Sequence, residues 1–152
     1  MSKRLGTLLL IGTHIAGWLP LIIMIVAWST GNLTFNPVQA ATIRSGRTAI
    51  IFLILSLAIT PMNTLFGLRQ LIPLRRWLGL YTFLYVALHL TIFLWLDYVL
   101  DPQLIIEALF TKRYALIGLA AFLIMLPLAL TSTRSAMRRL GKKWKSLHKW
   151  VY

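Results

Sequence analysis

The chain of 152 residues has no cysteine and only three acids. The first absence excludes disulfides, thiolate metal sites, iron–sulfur clusters and cysteine nucleophiles. The acids, Asp97, Asp101 and Glu107, all fall in one short stretch between apolar runs. No apolar run therefore carries the embedded carboxylate that proton-coupled transport usually needs. No acid is available to orient a Ser–His pair elsewhere in the chain. HExxH, P-loop and GxGxxG patterns are missing too, as are internal repeats and low-complexity tracts. Histidine is also scarce, with three residues: His14, His89 and His148.

What the chain has is apolar surface and positive charge. Hydrophobic residues make up 59% and charged residues 12%, where soluble domains carry about a quarter charged residues. The mean hydropathy is +0.78, which excludes a disordered chain and argues against an ordinary soluble globule. A net charge of +13 raises the question of nucleic acid. That reading needs a polar domain to display a basic face, and here the cations sit between apolar runs, so no nucleic-acid partner is expected.

Four apolar runs approach or exceed the roughly 20 residues needed to cross a bilayer. They are Leu5–Trp28, Thr48–Phe66, Trp77–Leu96 and Tyr114–Thr131. The runs are continuous rather than alternating, which reads as helix. Pro20, Pro61 and Pro127 are tolerable inside spans where neighbours satisfy the freed carbonyls. The first run is too long for a signal-peptide core, and no small-residue cleavage site follows it. After Thr131 comes the basic stretch STRSAMRRLGKKWKSLHKWVY, which turns apolar at Trp150, Val151 and Tyr152 as a fifth span would open. The reading is an all-α integral membrane protein, a single domain over 1–152, with four complete spans plus the start of a fifth.

Charge placement orients the spans. Lys3, Arg4, Arg69, Arg75, Arg76 and the tail cations Arg134, Arg138, Arg139, Lys142, Lys143, Lys145 and Lys149 share one side. The other side has Arg44, Arg47, Lys112 and Arg113, with all three acids. The positive-inside rule puts the first set, and the N-terminus, in the cytoplasm, with loops 29–47 and 97–113 outside. Trp28, Trp77 and Trp95 fall near the expected interfaces, and the tail cations are suited to anionic membrane lipid.

An ionisable residue inside a span is a functional candidate; the alternative is an interhelical hydrogen bond of about 1 kcal/mol. His89 lies about 18 Å into the third span from Trp77, in its outer half. Its helical neighbours include Thr82, Tyr85, Val86, Ile92, Phe93 and Leu96. One imidazole on a bulky apolar face suits a porphyrin, whose iron takes an axial histidine in a dry pocket. His14 invites the same reading more weakly, since Thr13 beside it suggests a local polar contact. His148 by itself reads as interfacial.

The pieces SGRTAIIFLILSLAITP, RRWLGLYTFLYVALH and LALTSTRSAMRRLGKKWKSLHKWVY, in that order, resemble the ferric-reductase-like transmembrane family. The resemblance runs from His14 to Tyr152. It implies a helical bundle of six spans in the bacterial inner membrane, carrying haem b, with FMN also attributed to the group. It implies electron flow from the quinone pool or a cytoplasmic flavin reductase to a periplasmic molybdenum-cofactor enzyme of the MsrP type. That partner, rather than the membrane subunit, reduces methionine sulfoxide in oxidised envelope proteins. The resemblance matches His89 to the family's third-span haem histidine. It matches His148 to the histidine of the LH motif that opens the fifth span, a ligand or a cofactor contact at the inner edge, far along the membrane normal from His89. A further histidine is expected near position 161, with the rest of the fifth span and the sixth beyond residue 152. His14 joins the cofactor candidates.

Arg75 stands fourteen residues before His89, within about 40° of its helical face. A guanidinium there pairs bidentately with a propionate or a flavin phosphate, so Arg75 and Arg76 are candidates for the cofactor's acidic groups; the alternative is positive-inside anchoring. Two rival readings stay open: a non-redox cationic scaffold or assembly factor whose histidines only bridge helices, and a nonfunctional fragment of the electron-transfer subunit.

Overall fold

The computed structural model describes residues 3–148, which are helical almost throughout and contain no strand. The elements are α1 (Lys3–Ser29), α2 (Pro37–Phe66), a 3₁₀ turn (Arg69–Leu71), α3 (Ile72–Thr91), a π-helical segment (Ile92–Asp97), α4 (Pro102–Thr111), α5 (Arg113–Leu130), α6 (Arg134–Leu140) and α7 (Lys142–His148). Four helices are long and apolar enough to cross a membrane: Arg4–Ser29, Pro37–Phe66, Arg69–Asp97 and Arg113–Leu130. They match the four expected spans. The expected apolar opening at Trp150, Val151 and Tyr152, with Lys149 before it, lies outside the described residues.

The chain divides into two compact units, residues 1–89 and 90–152. In the first, α2 starts well before the apolar run does. Asn36 caps it, its Oδ1 accepting from the Gln39 amide at 3.1 Å, with Pro37 in the first turn. That pairing is favourable because the cap satisfies an orphan donor and proline needs none. The expected outer loop 29–47 therefore shrinks, and Arg44 and Arg47 stand on helix. At its other end α2 stops at Gly67, whose φ of 67° is the left-handed conformation glycine adopts freely.

The seam of this unit is α3. Leu74, Leu78, Tyr81, Thr82 and Tyr85 are buried on it, against Ala49, Phe52 and Ile59 of α2. The Tyr81 ring lies against Gly17 of α1, where a Cβ would overlap it. The Tyr85 hydroxyl donates to the Gly17 carbonyl at 2.7 Å. Small residues at such crossings let helices approach where lipid supplies no hydrophobic drive.

In the second unit the π-helical segment ends at Asp97, and Val99 and Leu100 follow with φ of 50° and 58°. Positive φ on a β-branched residue is strained. Residues 97–113, expected as a loop, hold the ten-residue helix α4, capped by Asp101, whose Oδ1 accepts from the Gln103 and Leu104 amides. Lys112 Nζ donates to the Tyr98 hydroxyl at 2.7 Å, and this bond holds its ammonium above the usual lysine value. The Trp144 indole N–H donates to the Thr131 carbonyl at 3.0 Å, tying α7 to the end of α5.

Candidate functional site

His89 is half-buried and faces α2. Its Nδ1 lies 2.9 Å from the Thr42 carbonyl and 3.4 Å from Ser45 Oγ. A carbonyl only accepts, so Nδ1 carries the proton, and in the neutral ring Nε2 keeps the lone pair. Metal-ligating histidines typically show this arrangement, the second nitrogen fixing the tautomer and the ring plane. Gly46 makes it possible: a Cβ there would stand 3.1 Å from Nδ1. Thr42, Ser45 and Gly46 were not singled out in the sequence. The available signal was the small pair Ser45–Gly46 inside a long helix otherwise rich in aliphatics.

Trp77, Tyr81, Tyr85 and His89 recur every four residues, so α3 carries an aromatic column leading to the imidazole. Phe52 of α2 extends it, its ring centroid 5.8 Å from both Tyr81 and Tyr85. His14 joins from α1. Its Nδ1 is 2.8 Å from the Tyr81 hydroxyl and its ring meets Trp77 edge-on at 4.5 Å. The polar contact of His14 thus crosses to α3, whereas the neighbouring Thr13 bonds locally to the Leu9 carbonyl at 2.8 Å. Trp77, read as an interfacial belt residue, is half-buried on His14.

Arg75 and His89 do share a face of α3, since both reach α2. Arg75 Nη1 donates to Thr60 Oγ1 at 3.2 Å, about 21 Å along α3 from His89. The Arg76 guanidinium lies 5.5 Å from the Trp77 ring, and its Nε is buried with no hydrogen-bond partner. A buried, unpaired cationic donor is costly, and an anion laid against it would remove that cost.

His148 belongs to the second unit. Its ring stacks on Trp144 with centroids 4.0 Å apart, and its Nδ1 is 3.1 Å from the Trp144 carbonyl. By the argument used for His89, Nδ1 donates and Nε2 holds a lone pair; that Nε2 is buried with no partner. Within each unit, then, one histidine has its Nδ1 committed to a backbone carbonyl, and an imidazole in that state can ligate a haem iron through Nε2. Among the described residues no group of three or more His, Cys, Asp and Glu could hold a bare metal ion.

Residues 45–152 match the family described as ferric reductase like transmembrane component. This chain belongs to that family. A relative from Ralstonia nicotianae is 40% identical over 144 residues, 91% of this chain and 66% of that protein. One from Rhodospirillum rubrum is 41% identical over 150 residues, 98% of this chain and 71% of that protein. One from Agrobacterium fabrum is 39% identical over 152 residues, 100% of this chain and 70% of that protein. All three are named protein-methionine-sulfoxide reductase heme-binding subunit MsrQ. The chain spans about two thirds of the length of these relatives. No solved structure matches. The family match covers His89 and His148 and leaves His14 outside it.

Proposed function

We propose that the chain is a haem b-binding, electron-transferring membrane subunit of a methionine-sulfoxide reductase system. The observation that carries the reading is shared by His89 and His148: Nδ1 is committed to a backbone carbonyl and Nε2 is left as a lone-pair ligand. The names of the relatives support the haem and the reductase system. Bound haem supplies one-electron chemistry at its iron, while the residues of this chain hold, orient and dry it. His89 on α3 would hold the haem iron through Nε2, and His148 would be a ligand or a cofactor contact. The hydrogen bond between His14 and Tyr81 favours a positioning role for that histidine over ligation.

Arg76, with its unpartnered Nε, is the candidate for an acidic group of the cofactor, a haem propionate or the phosphate of FMN; Arg75 stands beside it at the same end of α3. The subunit sits in the bacterial inner membrane with its N-terminus in the cytoplasm, by the charge bias of its connections. It draws electrons from the quinone pool or a cytoplasmic flavin reductase and passes them to a periplasmic MsrP-type molybdoprotein, where sulfoxide reduction occurs. The stretch carrying Asp97, Asp101 and Glu107 offers that partner a negative surface.

The test is a reduced-minus-oxidised optical spectrum of the purified protein beside His89→Ala. A low-spin haem b signal in the parent that disappears from a folded variant is expected. A folded, monodisperse parent with no Soret band would sink the reading and leave the scaffold or the fragment in its place.

A further inference from the structure

A second feature of the first unit borders the His89 site and contains neither histidine. A cavity of about 280 Å³ opens between α1 and α2, floored by Tyr85 of α3. Its walls include Leu19, Ile23, Met24 and Ile51, and its polar edge includes Arg44 and Arg47. Both arginines are exposed. Among the described residues neither guanidinium has a hydrogen-bond or ion-pair partner, and only the Arg44 carbonyl is engaged, by Thr48 Oγ1.

Position along α2 sets the depth of this edge. Thirty residues of helix are about 45 Å long, while the hydrocarbon layer is about 30 Å thick. The uncharged run from Thr48 to Phe66 is about as long as that layer is thick, and Arg44 and Arg47 stand at its outer end. Arg44, Arg47 and Ile51 lie within about 60° of one another round the helix. Thr42 and Gly46, which receive His89, are about 160° away from Arg44. The arginine edge therefore faces away from the imidazole, while Ser45, which also lines the cavity, lies 3.4 Å from His89 Nδ1 and separates the two.

We propose that this cavity seats one acidic phospholipid, with its phosphate between the Arg44 and Arg47 guanidiniums and an acyl chain along the aliphatic walls. Guanidinium forks match phosphate oxygens bidentately, and no acid of this chain competes for them here. The volume of about 280 Å³ falls just below the about 300 to 1,000 Å³ typical of ligand pockets, which suits part of a single chain and not a macrocycle. The seat is independent of the haem reading, since it uses neither histidine nor Arg76.

Native mass spectrometry of the detergent-purified protein, titrated with phosphatidylglycerol or phosphatidylcholine, tests the seat. The parent is expected to retain one phosphatidylglycerol about tenfold or more over phosphatidylcholine, from two cations at the surface. Arg44→Gln/Arg47→Gln is expected to level the two lipids. Ile51→Trp, which fills the cleft and keeps both charges, is expected to weaken retention of phosphatidylglycerol. Circular dichroism confirms that each variant folds, and haem content on the same samples is expected to stay constant. Equal retention of phosphatidylglycerol by parent and double variant overturns the proposal, as does indifference to Ile51→Trp. Displacement of the lipid by glycerol 3-phosphate alone would make this a free-anion site and would also overturn it. Loss of haem from the arginine variant would reassign the pair to propionates and overturn the lipid seat as well.

Discussion

Between Gly46 and His89 there is no room for a methyl group without movement. Gly46→Ala adds helix propensity of about 1 kcal/mol and adds a crowding cost of about 1–3 kcal/mol. The two partly cancel in overall stability, but only the second acts on the imidazole. The expected result is a melting temperature within a few degrees of the parent, together with a shifted or weakened haem band. An unchanged band would show that the Thr42 contact does not hold the ring. At this scale half of the site was legible. His89 and His14 announced themselves as ionisable residues in apolar runs. Thr42 was silent because the imidazole bonds its backbone carbonyl, and a carbonyl is common to every residue type. The unpartnered Nε2 of His148 and Nε of Arg76 are likewise facts of packing that no spacing encodes.

Helices meet in the first unit where glycine permits. Gly17 lies under the Tyr81 ring, while a Cβ at Gly12, on the same helix, would meet nothing within 4 Å. Gly17→Ala is expected to destabilise the unit by about 1–3 kcal/mol through overpacking. Gly12→Ala is expected to be neutral or to stabilise by up to about 1 kcal/mol through propensity. Thermal unfolding of both variants reads the contrast, and equal melting temperatures would mean that α1 does not depend on this approach. The spans themselves followed from apolar length, and their ends from punctuation. Asn36–Pro37 and Asp101–Pro102 both carry a cap followed by proline at the first helical turn, a start signal that a reading by hydropathy alone passes over. Hydropathy therefore makes both outer connections too long. The π-helical segment Ile92–Asp97 has no such mark, because a one-residue change in helical hydrogen bonding leaves composition untouched.

For the whole chain, charge asymmetry is the main guide to orientation, and the absence of cysteine makes it easy to examine. Any introduced thiol is unique in this sequence. Phe35 projects fully from the α1–α2 connection, and Arg139 is exposed on α6. In spheroplasts, Phe35→Cys is expected to react with a membrane-impermeant maleimide at once, and Arg139→Cys only after permeabilisation. The reverse pattern would invert the orientation, and with it the side on which a partner docks. Burial carries a related message. The apolar stretch within the span Arg69–Asp97 is 28% buried, and that within Arg113–Leu130 is 6% buried. Outward apolar surface of that extent needs lipid or further protein against it, which is why composition alone already pointed to a membrane.

The Thr42 carbonyl is shared more widely than its neighbours. It accepts the His89 Nδ1–H at 2.9 Å and, as a mid-helix carbonyl, the Gly46 amide, while the single Ser45 hydroxyl proton is divided between it at 3.0 Å and the Ala41 carbonyl at 2.8 Å. Each added donor draws electron density toward oxygen and softens the C=O stretch. A ¹³C label at that one carbonyl should therefore absorb below the main amide I envelope of the helices, giving an infrared marker that follows the orientation and protonation of the imidazole independently of any visible chromophore.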